Sequence, residues 1–371
     1  MGIMVGLPSP SGSEKDLQLN FGKNMTVQVE MRAPHLPAEW HMQSGIQLTW
    51  PHAGTDWAYM LEEVQECFIR IAKEIAEREL LLIVTPEPEE VKKQISAVVN
   101  MDNVRFLKCA TNDTWARDHG AITMIDTGNP SLLDFTFNGW GLKFAAELDN
   151  QITKQAVEAG ALKGQYIDCL DFVLEGGSIE SDGMGTLLTT SECLLSPQRN
   201  GKLNQVEIEE YLKSTFHLQK VLWLDHGYLA GDDTDSHIDT LARFCSTDTI
   251  AYVKCTDEAD EHYEALLAME EQLKTFRTLA GEPYRLLALP MADKIEEDGE
   301  RLPATYANFL ILNEAVLYPT YNQPENDRKA GEVLQQAFPK HQIIGIDCRA
   351  LIKQHGSLHC VTMQYPMGVL K

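Results

Sequence analysis

The sequence lacks an apolar run of the roughly 18–20 residues that a membrane-spanning helix needs, so no transmembrane segment is predicted. Basic residues are also scarce: 31 Lys and Arg stand against 55 Asp and Glu, which gives a formal net charge of −24. A nucleic-acid groove needs clustered Lys and Arg, so nucleic-acid binding is not predicted. The negative charge is compatible with a small cationic ligand.

The eight cysteines are scattered, without a C-x-x-C pair or a zinc-finger spacing. That distribution is typical of a reduced, cytoplasmic protein. The N-terminus lacks the basic segment and long apolar run of a signal peptide. Residues 1–24 are rich in Gly, Ser and Pro and are predicted to be a leader. Residues 25–371 contain no low-complexity linker and are predicted to form a single compact domain, with the formation of a homo-oligomer left open.

Helical and extended hydrophobic patterns alternate along the chain. Apolar residues recur at helical spacing over 57–80 and 258–276, whereas short apolar runs at 80–84 and 221–224 predict buried strands. The turn sequence of residues 181–183, Ser-Asp-Gly, predicts a hairpin, so antiparallel pairs are expected beside parallel ones. This interleaving of strands and helices predicts an α/β fold.

The densest polar cluster is residues 231–239, which read Gly-Asp-Asp-Thr-Asp-Ser-His-Ile-Asp. A solvated acidic loop would explain such a run, and so would a Ca²⁺ loop, although the terminal Glu of an EF-hand is missing. In an extended segment, Asp235, His237 and Asp239 would instead lie on one face and could meet a single ligand. Burying so many ionisable groups without a ligand would be costly.

A second polar cluster, residues 111–120, places Trp115 close to Asp118. A planar cation is attracted to the face of an indole ring and to a carboxylate that offers paired hydrogen bonds. An ordinary ion pair between Arg117 and a nearby Asp would explain the same segment. The sequence alone leaves both interpretations open.

Three further residues stand at the ends of predicted strands. Glu175 is followed by two glycines, which would let a ligand or a backbone segment approach closely. Asn308 enters a buried strand, where hydrogen bonding within the core is its ordinary role. Cys360 follows a polar loop and precedes an apolar strand predicted over 360–363, so its thiol could face a cleft, although most free cysteines are buried and unreactive.

Together, the segments Trp-x-Arg-Asp, Glu-Gly-Gly, Asp-x-His-x-Asp and a late His-Cys resemble those of agmatine deiminases and the related bacterial peptidylarginine deiminases. Both groups belong to the guanidino-group-modifying superfamily, and the resemblance extends from about Trp50 to the C-terminus. It implies a pentein fold, a five-bladed α/β propeller of ββαβ units with pseudo-fivefold symmetry. It also implies a small cationic guanidine substrate, and neither a metal ion nor an organic cofactor.

The resemblance assigns chemical roles to three of these residues. Cys360 would be the nucleophile, His237 the general acid and base, and Glu175 would assist His237. Attack of a thiolate on a guanidinium carbon would release ammonia and leave a covalent thiouronium, which water would then hydrolyse.

Binding roles follow from the same resemblance. Asp118 and Asp239 would hold the guanidinium nitrogens, Trp115 would stack near the substrate, and Asn308 would support the site. Such carboxylates hold the cation in line with the thiolate and stabilise charge as the carbon becomes tetrahedral.

Substrate choice within the superfamily depends on what meets the far end of the molecule. Arginine carries an α-carboxylate that needs a cation, whereas agmatine ends in an ammonium that needs acceptors. Asp232, Asp233 and Asp235 would supply such acceptors. They favour agmatine, whose hydrolysis to N-carbamoylputrescine leads to putrescine and the polyamines. Peptidyl-arginine and free arginine remain alternative substrates.

Three other classes of protein remain alternatives. An amidinotransferase would share the first half of the reaction and pass the amidino group to an amine. A metallohydrolase would use Asp232, Asp235, His237 and Asp239 as ligands, although only one His lies in that cluster. A polyamine-binding protein would keep the pocket without catalysis.

Overall fold

The computed structural model describes residues 34–126 and 130–371, which form a mixed α/β fold. The predicted leader, residues 1–24, lies outside the described residues. None of the described helices is both long and apolar enough to cross a membrane. The strands are β1 (Gln43–Thr49), β2 (Leu80–Thr85), β3 (Val104–Lys108), β4 (Ile122–Met124), β5 (Ser131–Thr136), β6 (Gln165–Val173), β7 (Ile179–Ser181), β8 (Thr186–Thr190), β9 (Lys220–Leu224), β10 (Ala242–Ser246), β11 (Thr249–Lys254), β12 (Arg285–Pro290), β13 (Glu296–Glu297), β14 (Glu300–Arg301), β15 (Leu310–Ile311), β16 (Ala315–Thr320), β17 (Gln342–Asp347) and β18 (Thr362–Pro366). The helices are α1 (Leu61–Ala76), α2 (Pro88–Ile95), α3 (Ala116–His119), α4 (Gly139–Leu142), α5 (Ile152–Glu158), α6 (Ser191–Leu194), α7 (Gln205–Phe216), α8 (Tyr263–Thr275) and α9 (Pro324–Ala337).

Five of the sheets share one strand pattern, in which a central strand pairs antiparallel with one neighbour and parallel with the other. A helix connects the parallel pair each time, as α1 connects β1 to β2 and α9 connects β16 to β17. The repeated unit is therefore an antiparallel pair, a helix and a parallel strand. The five sets are β18-β1-β2, with β3 added beyond β2, then β4-β5-β6, β7-β8-β9, β10-β11-β12 and β15-β16-β17.

The sheet that contains β1 joins the two ends of the described chain. β18 runs antiparallel to β1, with Gln43 opposite Pro366 and Leu48 opposite Thr362. The strand predicted over 360–363 therefore begins later, at Thr362, and Cys360 lies just before it. The pairing with β1 holds the segment that carries Cys360 against the opposite end of the chain.

The helix α1 shows how the apolar pattern builds each layer. Val64, Phe68, Ile71 and Ile75 are fully buried on one face, as their spacing of three or four residues predicts. The prediction of a helix over 57–80 is thus confirmed in type. The first turn is a 3₁₀ turn, and the α-helix ends at Ala76.

Candidate active site

The predicted nucleophile Cys360 lies between a 3₁₀ turn (Leu351–Gln354) and β18, and it lines a cleft. Its Sγ is 3.4 Å from Oδ1 of Asn308, and the backbone N–H of His359 donates to the same oxygen at 2.8 Å. Asn308 therefore fixes the turn that carries the thiol. Burial and two nearby carboxylates raise the pKa of the Cys360 thiol well above its ordinary value.

The wall of the cleft combines acidic and aromatic side chains. Among the described residues, neither Lys nor Arg lines it. An aromatic and acidic wall attracts a cation, and although His355 and Gln354 also line it, these residues include no guanidinium or ammonium to pair with an anion. Its acidic and aromatic members are Asp56, Asp113, Asp118, Asp233, Trp115, Trp140 and Phe144.

Asp118 lies on the short helix α3, and neutral donors hold both of its carboxylate oxygens. The backbone N–H of Gly177 donates to Oδ1 at 3.0 Å, and Trp140 Nε1 donates to Oδ2 at 2.9 Å. Burial, followed by the charges of Asp239 and Glu175, raises the pKa of Asp118 well above its ordinary value. The environment of Asp118 therefore disfavours its ionised form.

Asp239 lies in a 3₁₀ turn (Ile238–Thr240) and has a different environment. Its Oδ2 is 2.7 Å from Nδ1 of His359, whereas its buried Oδ1 has no hydrogen-bond partner among the described residues. Burial alone would raise the pKa of Asp239, but the hydrogen bond and charge of His359 outweigh it and hold that pKa below its ordinary value. Two neighbouring carboxyl groups are thus pushed apart in pKa, as is common in active sites.

His237 is fully buried, and neither of its ring nitrogens has a hydrogen-bond partner within residues 34–126 and 130–371. Its Nδ1 lies 3.7 Å from Oδ1 of Asp118. Burial lowers the pKa of His237 to about 3, so the free imidazole is neutral near pH 7. A neutral imidazole is able to accept a proton from a thiol.

Glu175 lies near His237, but its carboxylate is bonded elsewhere. Nε of Arg199 donates to both Glu175 oxygens, at 2.8 and 3.0 Å, and Arg199 Nη1 donates to Asp235 at 2.6 Å. Arg199 was missed by the sequence interpretation because it lies in a turn far along the chain from every predicted site residue. The partner of the Glu175 carboxylate is thus a buried arginine.

Gly177 forms the backbone wall between three of these groups. A Cβ at this position would lie 2.6 Å from His237 Nδ1, 2.8 Å from Asp118 Oδ1 and 3.2 Å from Asp239 Oδ2. The backbone at Gly177 therefore comes as close to neighbouring groups as the paired glycines predicted. A side chain at this position would push His237 and Asp118 out of place.

Trp115 lines the cleft beside Cys360, with its ring packed against the backbone of Gly356. A Cβ at position 356 would overlap the indole. Trp57 and Trp140 pack against the other sides of the ring, with centroids 5.8 and 6.1 Å away. This packing fixes the indole in the wall of the cleft, and its stacking on a substrate stays a prediction.

The acidic run 231–239 is not an extended segment, so the prediction of one strand face was wrong. Asp235 and Ser236 have positive φ angles of 65° and 60°, which turn the chain before His237. Asp235 instead pairs with Lys143, at 2.7 Å, as well as with Arg199. The turn still brings His237 and the nearby Asp239 into the buried site.

The three carboxylates of that run that were predicted to accept the substrate ammonium lie in different environments. Asp235 is occupied by its two cations, and the Asp232 carboxylate accepts bonds from Thr234 and Ser236 within its own loop. Asp233 is the member that lines the cleft. The sequence interpretation missed Asp113, a carboxylate in the same wall, although it lies only two residues before Trp115.

Within the described residues, Arg117 forms no ion pair with a neighbouring Asp, which was one of the two interpretations of its segment. Its Nη1 donates to Gln364 Oε1 at 2.5 Å, and the carboxylate that its Nη2 approaches is Glu39, 3.9 Å away. Burial lowers the pKa of Arg117. Arg117 therefore supports the layer beneath the site instead of shielding Asp118.

Two groups of described side chains bring three potential metal ligands together, but arginines already bind their carboxylates. Arg199 binds Glu175 in one group, and Arg243 binds Glu39 and Glu180 in the other. Neither group is the ligand set of the metallohydrolase alternative, which was Asp232, Asp235, His237 and Asp239. The two groups are Glu175, Cys193 and His237, and Glu39, Glu180 and His359.

Several known proteins resemble this chain in sequence and in structure. Residues 35–366 match the family described as Porphyromonas-type peptidyl-arginine deiminase. A solved structure from Porphyromonas gingivalis, provisionally named an arginine deiminase, is 51% identical, covers 91% of this chain and 100% of its own, and has a TM-score of 0.86. An agmatine deiminase from C. jejuni with substrate bound is 40% identical, covers 94% and 100%, and has a TM-score of 0.84. An agmatine deiminase from Ectopseudomonas mendocina is 31% identical over 90% of this chain and 95% of the relative.

The site and these relatives together define an enzyme that hydrolyses a guanidino C–N bond. The family match over residues 35–366 defines the protein more narrowly than this class of enzyme. This chain belongs to the Porphyromonas-type peptidyl-arginine deiminase family, and the resemblance found in its sequence is confirmed.

Proposed function

We propose that this protein hydrolyses agmatine to N-carbamoylputrescine and ammonia, a step toward putrescine. The cleft wall carries the proposal: it has four carboxylates and, within the described part of the chain, neither Lys nor Arg. Agmatine has a guanidinium at one end and an ammonium at the other, whereas free arginine has a carboxylate that such a wall would repel. The similar agmatine deiminases give further support.

We further propose that the five repeated units are the blades of a pentein propeller, and that residues 25–371 form one catalytic domain. The shared order of an antiparallel pair, a helix and a parallel strand supports the first point. The pairing of β18 with β1 supports it too, because a closed ring needs its two chain ends to be joined.

Substrate binding would bring the guanidinium between Asp118 and Asp239, beside the Trp115 ring. The unpartnered Oδ1 of Asp239 is available for its N–H groups. A cation placed there lowers the pKa of the neighbouring acids, so the guanidinium would favour the ionised form of Asp118. The two carboxylates would then hold the guanidinium carbon in line with the thiol.

The bound cation would also prepare the nucleophile. Two nearby carboxylates help to raise the pKa of the Cys360 thiol, and a guanidinium between them offsets their charge. The thiol proton would then move to the neutral imidazole of His237, leaving a thiolate beside the guanidinium carbon. Arg199 would keep the Glu175 carboxylate fixed near that imidazole.

The chemistry would then proceed in two stages. Attack of the Cys360 thiolate forms the S–C bond, and the protonated His237 gives its proton to the departing nitrogen, so that ammonia leaves. The neutral His237 next takes a proton from water, and the hydroxide adds to the thiouronium carbon. Breaking the S–C bond releases the urea product as the hydroxyl proton of the adduct passes to sulfur, and the protonated His237 gives its proton to solvent.

Asp113 is the group that we expect to recognise the far ammonium. Its Oδ2 accepts a 3.1 Å bond from Trp115 Nε1, while its buried Oδ1 has no partner among the described residues. Burial and the charge of Asp56 raise the pKa of Asp113 to about 7. An ammonium beside Oδ1 would satisfy this oxygen and favour the ionised carboxylate.

The substrate assignment predicts that kcat/KM for agmatine exceeds that for free arginine and for a peptide with a C-terminal arginine by at least about 100-fold. Ammonia release measures all three. Agmatine should have a higher kcat/KM than a monocationic alkylguanidine, because only agmatine has the second positive charge. Asp113→Asn should remove most of this difference in kcat/KM. Asp168→Asn, a change in β6 outside the cleft, serves as the control. Faster hydrolysis of either arginine substrate would overturn the assignment.

Gly177→Ala is expected to lower kcat/KM for agmatine by at least about 100-fold, because displacing a catalytic group by about 1 Å has that effect. The methyl group would press on His237 and Asp118. Gly160→Ala is the control, since a Cβ there meets no atom within 4 Å, although its φ of 71° makes the change locally strained. Kinetics and thermal unfolding of both variants should show lost activity in the first and lost stability alone in the second.

A further inference from the structure

The imidazole of His359 bridges two buried carboxylates. Nδ1 is 2.7 Å from Asp239 Oδ2, and Nε2 is 2.7 Å from Glu39 Oε2. An ionised carboxylate only accepts hydrogen bonds, so a ring with one at each nitrogen donates from both and is an imidazolium. Arg243 Nη2 lies 3.1 Å from Nε2 because it donates to the same Glu39 oxygen, at 2.7 Å.

The charges behind Asp239 balance only if His359 is included as a cation. Arg243 is fully buried and binds Glu180 as well as Glu39. One guanidinium thus faces two carboxylates, and Asp239 adds a third negative charge. Arg117, whose Nη2 is 3.9 Å from Glu39, is the second cation, so the three carboxylates meet three cations only when His359 is the third. Removing one partner from such a buried set leaves an uncompensated charge, which is strongly unfavourable.

The same contact also orients Asp239. Its Oδ2 is tied to His359, so its unpartnered Oδ1 is the oxygen left for a ligand. Asp118, the other predicted guanidinium carboxylate, has only neutral donors, from Gly177 and Trp140. The two carboxylates therefore differ in their hydrogen-bond partners: His359 binds Asp239, whereas only neutral donors bind Asp118.

We propose that His359 is a positioning residue, which ties Oδ2 of Asp239 and supplies the positive charge that keeps this carboxylate ionised for the guanidinium. It does not touch the substrate. Glu39 and Arg243 hold the imidazolium from the opposite side. The inference rests on the proposed function, since it assumes that Asp239 binds a guanidinium.

The ionisable groups around Asp239 come from several segments of the fold. The cations are His359, Arg243 and Arg117, and the groups that oppose its ionisation are carboxylates. A change at His359 removes the cation that is hydrogen-bonded to Asp239. The titratable neighbours whose charges act on Asp239 include His359, His237, Arg243, Arg117, Asp118, Asp232 and Cys360.

The test measures binding without turnover, as the Kd of a monocationic alkylguanidine in Cys360→Ser and in Cys360→Ser/His359→Gln. A monocation avoids any contribution from Asp113. Loss of the imidazolium raises the pKa of Asp239, and a protonated Asp239 binds the cation weakly. Calorimetry should therefore show binding at least about tenfold weaker at about pH 6, with the difference narrowing toward pH 9.

His262→Gln in the same Cys360→Ser protein is the matched control. It removes an equally buried imidazole whose Nδ1 is 2.7 Å from Asp260, and it should lower the melting temperature without changing the pH dependence of Kd. An unchanged pH dependence in the His359 variant would overturn the inference. Failure of Cys360→Ser itself to bind any guanidine would instead overturn the proposed function.

A measurement on the unmutated protein covers the case in which the His359 variant does not fold. Nitrogen-15 NMR of the histidine side chains should show both ring nitrogens of His359 protonated near pH 7, as two donors require. The assignment uses His359→Asn, or selective labelling if that variant also fails to fold. A ring with one unprotonated nitrogen would contradict the proposal.

Discussion

Cys360→Ser is expected to hydrolyse agmatine at least about 10⁴-fold more slowly than the unmodified protein. A serine hydroxyl is far less acidic than a thiol, and the neutral imidazole of His237 is too weak a base to ionise it in a buried site. The side chain keeps its size, so agmatine binding should change only a few-fold. Ammonia release gives the first result and calorimetry the second.

Cys169→Ser is the matched control for that substitution. Cys169 lies in β6 and, like Cys360, is 6% exposed, so the two variants bury the same new hydroxyl at similar depth. Cys169→Ser should lose stability and keep turnover. Mass spectrometry of protein quenched during turnover should find the thiouronium on the peptide that contains Cys360. Normal activity of Cys360→Ser would end the assignment of this residue as nucleophile.

Much of the fold was predictable because local hydrophobic patterns decide it. The buried face of α1 and the apolar strand β2 follow from residue spacing alone. The fivefold repetition of the strand pattern was not visible in the residues, because each unit needs only apolar side chains at corresponding depths. The unit order and the pairing of β18 with β1 depend on contacts between distant parts of the chain.

The candidate site divides in the same way. Asp118, Glu175, His237, Asp239 and Cys360 were predicted, because each lies in a short motif and the motifs together resemble a known family. The residues that hold them lie in segments with no motif of their own. A buried cation such as Arg199 or Arg243 is recognisable only once the fold shows which carboxylates it meets.

The positive φ angles at Asp235 and Ser236 were not predictable from the sequence pattern. Alternation in an extended strand would place Asp235, His237 and Asp239 together, and the actual turn separates the first from the other two. Because Arg199 and Lys143 bind Asp235, its position depends on partners that are distant in sequence. The motif therefore singled out His237 and Asp239 as site candidates, while the local geometry assumed for it was wrong.

His237→Leu is expected to reduce kcat for agmatine by at least about 10⁴-fold, because both the acid and the base of the reaction are lost. The same substitution should stabilise the fold. His237 is fully buried and neither ring nitrogen has a partner within the described chain. Burying such polar atoms without hydrogen bonds costs about 1–3 kcal/mol, which leucine of similar volume avoids.

The sign of the stability change separates this histidine from other buried ones. His262→Leu removes a ring that accepts from the backbone N–H of Ala230 at 2.8 Å and contacts Asp260 at 2.7 Å, so it should destabilise the fold. Urea unfolding of both variants measures the two free energies of unfolding. A destabilised His237→Leu would mean that the imidazole has structural partners, and an active one would remove it from catalysis. Opposite signs at two equally buried histidines would show that the site keeps His237 unpaired at the expense of stability, because its nitrogens must stay free to exchange a proton with the thiol and the leaving nitrogen.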